Sequence, residues 1–159
     1  MTFCPEPPFN SEKTVSKNKA TVEQVKLIND IRWPHSLGLF YSAFTYFLGF
    51  KVNEGEYKLM GLSAYGKPKY YDLIMNNLID LREDGSFSLN LDYFGYCNSD
   101  YMINDKFSDL FGGEPRKSES EITQRECDIA ASIQKVTEDL MIKIYNFGRL
   151  VLVVQIKLY

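Results

Sequence analysis

The run from Leu37 to Phe50 limits what this chain can fold into more than any other stretch. It is almost wholly apolar, and Ser42 and Thr45 are its only hydroxyl-bearing side chains besides its tyrosines. Fourteen residues (37 to 50) are too few to cross a bilayer as a helix, which takes roughly 20. Inside the run, Leu37, Leu39, Phe40, Ala43, Phe44, Phe47 and Leu48 spread around a helix rather than along one stripe. A helix apolar nearly all round must be covered on most faces. Pro34 and Ser36 set its start, with the Ser36 hydroxyl as N-cap, and Gly49 stops it. The chain therefore has to build its remaining elements around residues 37–48.

The rest of the sequence supplies those elements. Gly55 to Leu62 is a short glycine-bracketed segment that starts a helix. Pro68 suits a first helical turn, and Tyr70, Tyr71, Ile74, Leu78 and Leu81 then recur at helical spacing. Glu83-Asp84-Gly85 is a turn, and Ser86 to Leu91 alternates as a half-buried strand. A short helix is expected over Asp105–Leu110. Ser118 and Glu121 have capping-box spacing ahead of a long helix over roughly 121–146, with the stripe Ile122, Ile129, Ile133, Val136, Leu140 and Ile144. On its wet side Asp139 and Lys143 are placed to pair. Leu150 to Ile156 reads as a buried strand. Residues 1–30, rich in Pro, Lys and Ser at the start and with little periodicity, read as a flexible lead-in to a domain over 31–159.

Charge excludes one class of partner. A net charge of −3 with scattered Lys and Arg leaves no basic face for nucleic acid. No span suits a membrane. The three Cys, at 4, 97 and 127, have neither metal-site spacing nor an even count, and with no signal peptide the expected location is the cytoplasm.

Three strings go beyond pattern: Pro34-His35-Ser36-Leu37-Gly38-Leu39-Phe40-Tyr41-Ser42-Ala43, then Gly49 through Leu62 with Gly55-Glu56-Tyr57-Lys58-Leu59-Met60-Gly61-Leu62 at its end, then Ile122-Thr123-Gln124-Arg125 with Asp128 to Gln134. In this order they resemble the O-carbamoyltransferases of the nodulation-protein-U, cephamycin and tobramycin type, over roughly residues 32 to 145. The resemblance implies an α/β, helix-rich part of an actin-like domain, of the sugar-kinase and heat-shock-ATPase superfamily, incomplete at both ends. It implies carbamoyl phosphate and ATP as reactants, carbamoyl adenylate as intermediate, a hydroxyl of a small-molecule acceptor as target, and a divalent metal such as iron held by His and Asp. The chain departs from that pattern. It has one His, His35, reads Ser63-Ala64 where Ala-Pro is usual, and does not contain the glycine-rich segment or the second, YrdC-like half. The expectation is a fragment inactive alone, unfolding with low cooperativity, or else a docking module whose partner chain supplies the missing parts.

The resemblance implies that Gly55, Glu56 and Lys58 contact nucleotide or carbamoyl adenylate, with Glu56 accepting from ribose hydroxyls and Lys58 meeting a phosphate oxygen. Taken alone, Gly-Glu-x-Lys is also a common solvated helix start. His35 reads as structural, donating to a backbone carbonyl. Arg125 and Asp128 are spaced to pair, and Cys127 reads as a small buried residue. The aromatic run on the first helix reads as core, with part of that face left uncovered. No residue stands out as a catalyst or as part of a metal site.

Overall fold

The computed structural model describes the backbone of residues 30–156 and the side chains of residues 30–150. The chain divides after Asp30, and every element named below belongs to the unit Ile31–Tyr159. The lead-in expected over residues 1–30 lies, Asp30 apart, outside the described residues.

Helix α1 (Leu37–Phe47) forms as its sequence dictates. Ser36 sits in extended backbone and its Oγ accepts from the Leu39 N–H at 3.3 Å. At the other end Phe50 N–H donates to Thr45 O and Gly49 N–H to Tyr46 O, the paired bonds of a Schellman cap. That cap needs φ > 0, and Gly49 has φ 73°. Phe40, Ala43, Phe44 and Phe47 are fully or almost fully buried. Phe107 and Phe111 close over Phe44 edge-on, with ring centroids 5.1 and 5.4 Å away, and α4 (Asp105–Leu110), which carries Phe107, lies as expected from its sequence. The aromatic face of α1 is therefore covered. Exposed large side chains lie elsewhere, among them Tyr57 and Met60 on α2 (Glu56–Ser63), Tyr65 just after it, and Met141, Ile142 and Tyr145 on α5 (Gln124–Ile156).

Helix α5 covers the core from one side with Ile129, Ala130, Ile133, Val136 and Leu140, all fully buried. Its start differs from the capping box expected at Ser118 and Glu121. Thr123 and Glu126 form the box instead. The Glu126 carboxylate accepts from the Thr123 N–H at 2.9 Å and its hydroxyl at 2.5 Å, and Thr123 Oγ1 accepts from Arg125 N–H. Its end differs as well: residues 150–156 are helical, not a strand. Extending a formed helix adds one backbone bond per residue fixed, whereas a strand needs a sheet to join. The sheet among the described residues is a hairpin of β1 (Ile79–Leu81) and β2 (Phe87–Leu89), with Ile79 opposite Leu89.

β1 itself falls where helix was expected. Helix α3 (Tyr71–Asn77) starts three residues after Pro68, and its last turn closes at Leu78, whose N–H donates to Ile74 O. The chain then pairs outward to β2 around the turn at Gly85. The result is a helix-rich mixed fold with one small antiparallel hairpin. Among the described residues a hydrophobic cluster runs from α1 through α3, the hairpin and α4 to α5.

Candidate functional site

The first turn of α2 brings a carboxylate against α1. Gly55 caps it and has no room for a side chain, since a Cβ would lie 2.7 Å from Phe50 Cβ and 2.9 Å from Lys51 O. Glu56 follows at the positive end of the helix. Its Oε1 accepts from the Ser42 hydroxyl at 2.8 Å and from the Asn53 N–H at 3.0 Å. Partial burial opposes ionisation of Glu56. The hydrogen bonds from Asn53, Ser42 and the first N–H groups of α2 outweigh it and hold the carboxyl below its ordinary range. Both side-chain-defining bonds fall on one oxygen, so a carboxylate with about four acceptor positions keeps capacity for a ligand.

Glu56 opens onto a depression of about 760 Å³ bounded by Ser36, Tyr41, Ser42, Asn53 and Thr137 and by the turn at residues 37–39. The Tyr41 hydroxyl donates to Gln134 Oε1 at 3.0 Å, and Gln134 Nε2 donates to Glu138 Oε1 at 2.9 Å. Because a carboxylate only accepts, that second bond fixes the amide's orientation and with it the direction of the first. Burial, with Glu56 and Glu138 nearby, pushes the Tyr41 phenol up to about 12, so it keeps its proton. Thr137 Oγ1 is buried with no hydrogen-bond partner among the described residues.

Lys58 does not line this depression. It is exposed, and two residues along a helix is a turn of about 200° from Glu56. Of the three, Glu56 lines the depression, Gly55 is buried as the N-cap of α2 and does not line it, and Lys58 lies on another face. Tyr41, Ser42, Asn53 and Thr137 were not legible as site residues. Ser42 and Tyr41 sit inside an apolar run that reads as core, and Thr137 arrives from 81 residues beyond Glu56 in the sequence.

A second polar cluster ties the Tyr65–Tyr70 loop to α5. Asp128, almost wholly buried, accepts from the Lys67 N–H and from Gln124 Nε2, each at 2.9 Å, and pairs with Lys69 Nζ at 2.6 Å. The Lys69 ammonium is the main reason its carboxyl is drawn down to about 2. Ser132 Oγ accepts from the Tyr70 N–H and donates to Asp128 O. The expected pair of Arg125 with Asp128 does not form. Arg125 turns the other way, to its neighbour Glu126 and to the two carbonyls, of Phe111 and Gly113, that the chain offers just past the end of α4. Asp139 likewise pairs with Lys135 and accepts from the Tyr71 hydroxyl, not with Lys143. His35 is structural but as an acceptor: Leu89 N–H donates to its Nδ1 at 3.0 Å, which leaves the ring proton on Nε2. Cys127 is half-buried, and burial with the charges of Asp128 and Glu126 pushes its thiol up, away from reactivity.

The metal that the resemblance implies does not fit these residues. No three of His, Cys, Asp and Glu gather among the described residues, and the one imidazole has its Nδ1 occupied.

The family described as carbamoyltransferase N-terminus matches residues 14–155, nearly the whole chain. The chain belongs to that family. An uncharacterized protein of Synechocystis sp., sll1178, is 62% identical over 117 residues, 74% of this chain and 19% of the relative. The nodulation protein NolO of Bradyrhizobium diazoefficiens is 30% identical over 107 residues, 67% of this chain and 17% of its own length. The nodulation protein NolNO of Sinorhizobium fredii is 29% identical over 106 residues, covering 67% of this chain and 14% of the relative. The chain thus spans less than a fifth of the curated relatives it matches. Among the described residues no helix is long and apolar enough to cross a membrane.

Proposed function

We propose that the chain works as part of an O-carbamoyltransferase. In this reading ATP and carbamoyl phosphate give carbamoyl adenylate, and the carbamoyl group passes to a hydroxyl of a small-molecule acceptor. The domain is of the actin-like ATPase kind, and the Glu56 depression contributes the contact to nucleotide or adenylate. The observation that carries the reading is Glu56 itself. Its carboxylate is kept ionised and aimed by Ser42 and Asn53 at the edge of an open depression, as a group that accepts from ribose hydroxyls should be. Lys58, outside the depression, is left to meet an oxygen of a phosphate that extends beyond it. No side chain here is placed as a catalyst, so the chemical step falls to the rest of the enzyme.

Calorimetric titration of the purified chain with ATP tests this. Saturable binding is expected, weakened roughly tenfold or more in Glu56→Gln, the size of one lost charge-assisted hydrogen bond. Absence of saturable binding would contradict it. The exposed Tyr57, Met60, Met141, Ile142 and Tyr145 favour a second reading, a docking module of a split enzyme. That reading is supported if the chain binds no nucleotide yet forms a complex with a separately expressed remainder of the enzyme.

A further inference from the structure

Two uncovered faces of this chain carry opposite charge. The first is the far half of α5. Gly85, at the hairpin turn, packs against the helix at Lys143 and Ile144, and beyond that point the helix runs on to Ile156. Met141, Ile142, Tyr145 and Leu150 are all more than half exposed there. Met141, Tyr145 and Gly148 recur at the alternating four- and three-residue spacing of a helix–helix seam. A Cβ on Gly148 would meet no atom within 4 Å outside its own stretch of helix, so packing within this chain does not call for a glycine there. From Leu140 to Ile156 the sequence has no acid. Its cations, Lys143 and Arg149, pair with no carboxylate among the described residues.

The second face surrounds the loop between Gly95 and Met102. The Gly95 N–H donates to Met102 O at 3.2 Å and Phe94 bridges Ile103, which closes the loop. Tyr101 stands out from it, 64% exposed. Trp33, 54% exposed, leans on Tyr96 with ring centroids 6.0 Å apart. Asp100 on the loop, and Asp105 and Asp109 on α4, are exposed and pair with no cation among the described residues. The cation nearest to them in sequence, Lys106, is taken by Asp92 at 3.5 Å.

The two faces do not meet within one copy. Arg125, in the first turn of α5, holds Phe111 O just past α4, and Tyr145 lies roughly 30 Å further along the same helix. A lipid surface would match the cations of α5 and leave the acidic aromatic face unmet. A second copy of the chain matches both.

We infer that the chain associates with itself head to tail, the far end of α5 in one copy lying on the acidic Trp33–Tyr101 face of the next. The exposed apolar side chains supply the contact, and Lys143 and Arg149 against Asp100 and Asp105 set the partner and its orientation. Such a contact closes into a pair if it is reciprocal and otherwise extends into longer assemblies. Neither face includes the Glu56 depression, so the inference stands independently of the ligand reading.

Sedimentation velocity of the full chain across a concentration series tests it. The sedimentation coefficient should rise with concentration and fall back as salt screens the charges. The α5 variant Lys143→Glu/Arg149→Glu and the loop variant Asp100→Lys/Asp105→Lys should each weaken association roughly tenfold or more. Their melting temperatures should stay near that of the natural chain, since none of the four side chains is buried. Mixed in equal amounts, the two variants should associate again, because the reversed helix end then meets the reversed face. A chain that stays monomeric at every concentration overturns the inference. So does association that neither variant weakens, or that mixing fails to restore. A monomer that binds phosphatidylserine vesicles, or a separately expressed remainder of the enzyme, and loses that binding in the α5 variant gives the helix end to that partner and also overturns it.

Discussion

Protonating Asp128 should loosen the fold in acid. Its carboxyl is drawn from an ordinary 3.8 to about 2 by Lys69, Lys67 N–H and Gln124, so the folded state holds the ionised form more tightly than the unfolded chain does. The resulting stability, on the order of 2 kcal/mol, is fully present above pH 3.8 and is lost as pH falls through about 2. Urea midpoints measured across that window should fall for the natural chain and fall less for Asp128→Asn, which should begin about 2 kcal/mol less stable at neutral pH. Gly66 sits against the same turn of α5. A Cβ there would lie 1.9 Å from Cys127 O, so Gly66→Ala must push the loop off the helix. A loss of about 1–3 kcal/mol is expected in denaturant titration. An unchanged midpoint would mean the loop does not pack there. Neither role was legible. Asp128 is spaced to pair with Arg125 along the helix, and what decides its partner is the loop containing Lys67 and Lys69, about 60 residues away in sequence.

At the scale of elements, local signals served where the physics is local. The Ser36 cap, the Gly49 stop, the turn at Gly85 and helix α4 follow from a few neighbouring residues each. The misreadings come where two local solutions compete. Ser118–Glu121 and Thr123–Glu126 both have capping-box spacing, and the second wins because the buried stripe begins only at Ile129. Thr123→Ala should therefore cost about 1 kcal/mol, while Ser118→Ala should leave thermal unfolding unchanged. The β-branched run after Leu150 suits a strand by composition, yet it continues a helix already formed. Phe44, at the centre of the aromatic cluster, should be the most sensitive core position of α1. Phe44→Ala should destabilise by about 3–5 kcal/mol in chemical denaturation, and a loss under about 1 kcal/mol would mean that the cluster is not the core.

At the scale of the molecule, the hydrophobic run that begins the argument does what it demands: α1 lies in a cluster fed by every other major element. That continuous core leads us to expect one cooperative urea transition for Ile31–Tyr159 rather than the gradual loss expected of a fragment. The family was legible because long strings of residues carry it. The depression was legible only at Glu56, since Tyr41, Ser42 and Thr137 reach it through packing that no local spacing encodes. The central claim is that ligand binds in this depression. Backbone NMR shifts recorded as ATP is added to the chain test it most directly. Shifts centred on residues 36–42, 53–56 and the turn of α5 at Thr137 are predicted, and they should be lost in Glu56→Gln. Shifts confined to other surfaces, or none at saturating ATP, would contradict the account.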